Sequence, residues 1–163
     1  MVGVPGGGGV KALTLTQPWA ALVALGEKRF ETRSWRTDYR GPLAIHAAKG
    51  YPAECRELVE ETVFYEALLR GFRLERGFGL PSHLEVQRGK VLATCQLTGC
   101  HLIGRTVGGA ITLDGVPPRA FSLEEEEFGD YEPGRYAWRL EDVRLLATPV
   151  PARGALGLWE WVA

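Results

Sequence analysis

The chain contains no asparagine, one methionine, three cysteines and no apolar run long enough to span a bilayer. The cysteines Cys55, Cys95 and Cys100 are odd in number and lack framework spacing, so a reduced, cytoplasmic protein is expected rather than a disulfide scaffold. The start does not read as a signal peptide, and no membrane partner is expected. Charge of neither sign dominates: 19 basic residues face 20 acidic ones, which removes the strong positive balance typical of many nucleic-acid binders. A local basic groove is still compatible with that balance. Also missing are a Gly-x-Ser-x-Gly elbow, a phosphate loop and a dinucleotide fingerprint; Gly6 to Gly9 lack the Lys-Ser/Thr that a phosphate loop needs. No cofactor is expected. Scarce asparagine and methionine are thermophile-like, but GC-rich coding gives the same bias, so this bears on source and not on function.

What the chain does have is a charged segment in an unusual place. Gly26-Glu-Lys28-Arg-Phe30-Glu31-Thr-Arg33 directly follows the apolar run Trp19 to Leu25. Charges beside buried structure must pair, meet water or meet a polar ligand. If Arg29 to Arg33 is a strand, Arg29, Glu31 and Arg33 share one face, with Phe30 and Thr32 on the other. Glu31 then lies between two arginines, which would lower its pKa and hold it ionised, and Lys28, at the bend after Gly26, can swing to either face. The spacing fits a ligand site or a salt-bridged edge strand.

Around this segment the pattern predicts one α+β domain built on a small, mostly antiparallel β-barrel, with helices inserted early. Residues 1–9 form a glycine-rich, flexible start, and residues 10–163 form the domain. Val10 to Thr16 alternates as a strand, Thr16 is placed to cap the next helix, and Gly26 is placed to stop it. Leu43 to Ala48 reads as a buried strand. Pro52 to Gly71 reads as one long helix, with Cys55, Leu58, Val59, Tyr65, Leu69 and Phe72 near one face. Lys90 to Ile103, Gly134 to Ala147 and Leu156 to Val162 read as further strands.

Other constellations carry competing readings. Trp19 and Trp35 flank the basic residues, as aromatic faces do in single-stranded nucleic-acid sites, yet Trp19 also fits a core position. Trp138, Trp159 and Trp161 read as barrel packing. His46 lies in a buried-type strand and fits either a hydrogen-bonded core histidine or, with Lys49 at the strand end, a phosphate contact. Cys95, Cys100 and His101 alternate faces on a strand and make no metal site. The run Glu124 to Glu127 reads as a solvated acidic face.

The ordered motifs add a resemblance. Gly26-x-Lys28-x-x-Glu31-x-Arg33 resembles the signature of the ASCH family, named for its homology to a domain of the activating signal cointegrator. Leu15-Thr-Gln17-Pro18-Trp19-Ala20, Ser34-Trp35, Arg40-Gly41-Pro42-Leu43 and Ile45-His46-Ala-Ala-Lys49 are similar to segments of its cointegrator-like branch. Gly134-Arg-Tyr136-Ala-Trp138 and Gly154-x-x-Gly157-Leu158-Trp159 resemble its closing strands. The resemblance implies a PUA-like fold, a small barrel used elsewhere for RNA, and a nucleic-acid or nucleotide cleft beside the signature. It implies a site of Gln17, Trp19, Lys28, Glu31, Arg33, Trp35, Arg40, His46 and Lys49, with Lys28, Arg33 and Lys49 on phosphate. Glu31 would orient Arg33 or accept a base amino group. The expected ligand is RNA or another nucleotide-containing molecule. One bacterial branch hydrolyses acetylcytidine nucleosides with a threonine nucleophile where this chain has Glu31, a departure that argues against that activity here. Thr32 is adjacent, but alternation turns it away. Two alternatives stand beside binding: a hydrolase of a modified nucleoside or an RNA phosphodiester, with Lys28 and Glu31 as catalysts, and a peptide-binding module.

Overall fold

A computed structural model describes residues 8–76, 87–117 and 121–162. Most of the expected flexible start, residues 1–7, lies outside these. Seven strands and four helices follow in the order β1 (Val10–Leu15), α1 (Trp19–Ala24), β2 (Phe30–Arg33), β3 (Gly41–Ala47), α2 (Ala53–Leu58), α3 (Thr62–Arg76), β4 (Lys90–Arg105), β5 (Ile111–Leu113), α4 (Leu123–Glu127), β6 (Tyr136–Pro151) and β7 (Leu158–Trp161). The strands form one sheet in the order β2-β6-β4-β3-β1-β7, with β5 on the far end of β4. The sheet curls into a half-barrel, the PUA-like α+β arrangement the sequence predicts. It is mostly antiparallel; the exception is β1 beside β3, where Leu13 pairs with Ile45 in parallel. No helix among the described residues is long and apolar enough to cross a membrane.

Helix α1 is apolar on every side because it is packed on every side. Ala20, Val23 and Ala24 join the barrel core with Leu43, Ile45, Leu97 and Trp138. Ala21 and Leu22 face outward into a second cluster with Phe64, Leu68 and Phe128. The start of α1 is not capped by Thr16: no side chain caps at Pro18, and the Ala21 N–H donates instead to Gln17 Oε1 at 3.0 Å. Gly26 ends it as expected, at φ +77°, a conformation that costs glycine little.

The long helix expected over residues 52–71 is two helices. The N–H groups of Val59, Glu60 and Glu61 donate to the carbonyls three residues back, a tight turn that redirects the chain. The break shifts the helical phase. Phe64, Ala67 and Leu68 therefore pack on α1, and Tyr65 points to solvent.

The acidic run is solvated at Glu124, Glu126 and Glu127, as the sequence suggests, but not at Glu125. Ser122 caps α4 by accepting the Glu125 N–H at 3.1 Å. The short helix so formed turns Glu125 inward, to 4 % exposure.

Candidate nucleotide-binding cleft

The site begins at the reversal after α1. The Glu27 and Lys28 N–H groups both donate to the Leu22 carbonyl, at 2.9 and 3.1 Å, which folds the chain back under the helix. The Lys28 side chain is thereby driven inside, to 1 % exposure. Its Nζ lies 3.9 Å from Glu125 Oε1, too far for a hydrogen bond, and has no hydrogen-bond partner. Burial pulls the Lys28 pKa below the ordinary lysine range, while the charges of Glu31 and Glu125 oppose that shift.

Glu125 is the buried anion of this region. Its carboxylate accepts the Arg29 N–H at 2.9 Å through Oε2 and the Phe30 N–H at 2.9 Å through Oε1. The Tyr131 hydroxyl sits 3.5 Å from Oε1. These contacts anchor the start of β2 to α4. The sequence signal for this residue was the spacing Ser122-x-x-Glu125, a helix-start pattern whose glutamate usually turns back on its own cap. Here it reaches across to β2 instead.

Strand β2 runs antiparallel to β6, with Glu31 opposite Trp138 and Arg33 opposite Tyr136. Burial raises the Glu31 pKa above the usual carboxylate range; Lys28, Arg33 and Arg135 counter it, in that order. Arg33 Nε lies 3.1 Å from Glu31 Oε1, an ion pair without hydrogen-bond alignment, and that Nε has no hydrogen-bond partner. Arg33 Nη2 donates to the Thr14 carbonyl at 3.2 Å. Arg29, by contrast, is exposed and precedes the strand.

Glu31 opens into a cleft of about 310 Å³ whose walls include Thr14, Trp19, Thr32, Arg33, Trp35 and Arg135. A second hollow of about 340 Å³ shares Trp19, Glu31 and Thr32 and adds Phe64, Glu127, Phe128 and Asp130. Trp19 is fixed by its Nε1–H, which donates to the Phe128 carbonyl at 2.8 Å. Trp35 stands at the rim, 37 % exposed, edge-on to Trp138 at 4.6 Å. Thr32 does not turn away as alternation predicts. It lines both hollows, because the Gly129–Asp130 loop folds beside it and the Asp130 N–H donates to its Oγ1 at 3.0 Å.

The remaining predicted site residues are dispersed. Lys28 lies behind the cleft rather than in its wall. Gln17 is fully buried: while Oε1 receives the Ala21 N–H, Nε2 donates to the Gln87 carbonyl at 2.6 Å. Arg40 donates to the carbonyls of Thr37 and Tyr39, its own neighbours. His46 and Lys49 line a different groove of about 950 Å³, together with Arg88 and Arg153. Thr14 is common to the cleft and this groove.

His46 is committed to the structure. Its Nε2 is 3.1 Å from the Ala152 carbonyl, which only accepts, so Nε2 carries the proton. Burial holds the ring pKa below the ordinary histidine value, so Nδ1 is the acceptor of the neutral ring. Thr14 Oγ1 then donates to Nδ1 at 3.1 Å and accepts the Trp159 Nε1–H at 3.0 Å.

The model of the ASCH domain matches residues 13–134, which include α1, the signature segment and α4. The chain belongs to the ASCH domain family. That family is generally RNA-binding. Over 70 residues the chain is 44 % identical to activating signal cointegrator 1 of Mus musculus and, over the same length, 43 % identical to its Homo sapiens counterpart. Each match covers 43 % of this chain but only 12 % of the cointegrator.

Proposed function

We propose that this ASCH domain binds RNA, and that the cleft between Trp19 and Trp35 takes a base. The observation that carries the reading is the Glu31–Arg33 pair set in the wall of a cleft flanked by Trp19 and Trp35. Native structures rarely leave a buried donor without an acceptor. Arg33 Nε, 3.1 Å from Glu31 Oε1 but out of line for a hydrogen bond, is such a donor in the cleft wall, and Lys28 Nζ is another that lies behind it. An acceptor brought into the cleft would reach Arg33, which lines it, while Glu31 presents a carboxylate beside that donor. Donor and acceptor side by side match the edge of a base such as cytosine, whose amino group a carboxylate accepts. Trp35 at the rim, with Trp19 deeper, supplies the flat apolar surface on which a base stacks.

The test is a titration of cytosine-rich and uracil-rich RNA octamers by fluorescence anisotropy at two salt concentrations. Trp35→Ala should weaken both octamers by ~1–3 kcal/mol, the range for loss of a stacked base. Glu31→Gln should weaken the cytosine-rich octamer more than the uracil-rich one. Salt-insensitive binding, or variants that bind as the wild type does, would remove this reading. A chromatographic assay for nucleoside or RNA turnover separates binding from hydrolysis.

A further inference from the structure

The groove on the far side of Thr14 is larger than the cleft, and its charged lining is of one sign. Lys49, Arg88 and Arg153 line it, and among the described residues no acidic side chain does. The cleft and its neighbouring hollow carry Glu31, Glu127 and Asp130. Cations alone are thus the charged groups lining the groove, whereas the cleft sets Arg33 and Arg135 beside Glu31.

The groove is also built rather than incidental. Its far wall, residues 151–156, is tied down by the Ala152 carbonyl on His46 and by the Ala152 N–H, which donates to the Gly89 carbonyl at 3.1 Å. Gly154 closes onto the same histidine: a Cβ there would sit 2.5 Å from His46 Cε1 and 2.7 Å from Thr14 Oγ1. The opposite wall is pinned by the Gly89 N–H, which donates to the Ala47 carbonyl at 2.8 Å. Arg88 extends over the Tyr51 ring, 5.7 Å from its centre. His46 therefore serves as a neutral strut between fixed walls, and the cationic heads of the arginines and Lys49 are left at the surface.

We propose that this groove holds the sugar-phosphate backbone of the strand whose base occupies the cleft, so that the ligand is a single-stranded RNA of several nucleotides and not a lone nucleotide. The proposal rests on the base-binding reading of the cleft. Arg33 marks the junction, since it lines the cleft and donates to the Thr14 carbonyl at the boundary of both hollows. The phosphate of the next nucleotide along the strand would pass Thr14 and meet Lys49, Arg88 and Arg153. Phosphate contacts add affinity without reading sequence, and each makes binding more salt-dependent.

The experiment compares cytidine 5′-monophosphate with a cytosine-rich RNA octamer at two salt concentrations fourfold apart. The proteins are the wild type, the double variant Arg88→Ala/Arg153→Ala, and Trp35→Ala. Two lost contacts to a single strand should lower the log–log salt slope by about 1.4 in magnitude, so the fourfold salt step should weaken the double variant about sevenfold less than the wild type. Its affinity for the mononucleotide should be unchanged. If Trp35→Ala weakens the octamer but the double variant binds it with the wild-type slope, the groove proposal fails and the cleft reading stands. If the double variant loses octamer affinity while Trp35→Ala does not, the groove binds RNA by itself, and both the cleft reading and the strand path from cleft to groove fail. Equal losses of mononucleotide and octamer in the double variant would overturn the separation of the two sites. Binding of an acidic octapeptide with the same salt slope as the octamer would overturn the assignment to RNA.

Discussion

Replacing Glu125 tests whether a side chain in the middle of an acidic run organises the site. In Glu125→Ala the N–H groups of Arg29 and Phe30 lose a charged acceptor at 2.9 Å each. Hydrogen bonds to charged groups contribute ~1.5–3 kcal/mol apiece, which places the loss at roughly 3–6 kcal/mol. The stranded Lys28 adds little, because its Nζ is 3.9 Å from Glu125 and makes no hydrogen bond to it. Domains of this kind hold about 5–15 kcal/mol in total, so most of that range leaves a folded protein. At about 2–4 °C per kcal/mol for a chain of this size, the midpoint should fall by about 6–24 °C. The assay is thermal unfolding by circular dichroism, with the exposed neighbour variant Glu126→Ala as control, expected within about 0.5 kcal/mol of wild type. Adding Lys28→Met to Glu125→Ala should recover less than about 1 kcal/mol if the backbone N–H groups carry the loss. A midpoint for Glu125→Ala no lower than that of Glu126→Ala would refute the anchoring role. Full recovery by Lys28→Met would refute the division of the energy, because it would put the whole cost in the buried ammonium.

Three further outcomes are expected. The native His46 pKa lies below its unfolded value near ~6.5, so the unfolded chain takes up the proton first and stability should fall as pH drops through ~6.5 toward the native pKa; urea midpoints between pH 7.5 and 5.5 should show this slope in the wild type and lose most of it in His46→Gln, and equal slopes would count against it. Gly71→Ala should destabilise by ~1–3 kcal/mol although alanine is the better helix former, because the new Cβ would sit 2.8 Å from Leu25 Cβ; a urea midpoint equal to or above that of wild type would contradict the packing argument. Acetylcytidine incubated with the protein should remain acetylated by chromatography, and turnover abolished by Lys28→Ala would make this domain a hydrolase.

The sequence alone determined what depends on near neighbours. Alternation marked β1, the core of β3 and much of β4 and β6, and the apolar run ending at Gly26 marked α1, because side-chain period and turn chemistry are local properties. The signature segment was legible for the same reason, as was its closeness to the basic and aromatic residues Arg33 and Trp35. What the sequence could not decide was where side chains would meet. Helical spacing places Tyr65 inward, but three tight bonds at residues 59–61, which no residue pattern announces, reset the helical phase and turn it to solvent. Gln17, His46 and Lys49 were grouped with Glu31 by motif order, yet the sheet places His46 and Lys49 across Thr14 and spends Gln17 on the backbone of Ala21 and Gln87. Glu125 looked like one of four equivalent glutamates until the tertiary structure brought one of them against the Arg29 N–H, 96 residues away in the chain. A run of like charges specifies a solvated helix turn, but the choice of which carboxylate faces inward belongs to the surface it lands on, and here that surface is the start of β2, where Glu125 accepts the Arg29 and Phe30 N–H groups, beside the buried Lys28.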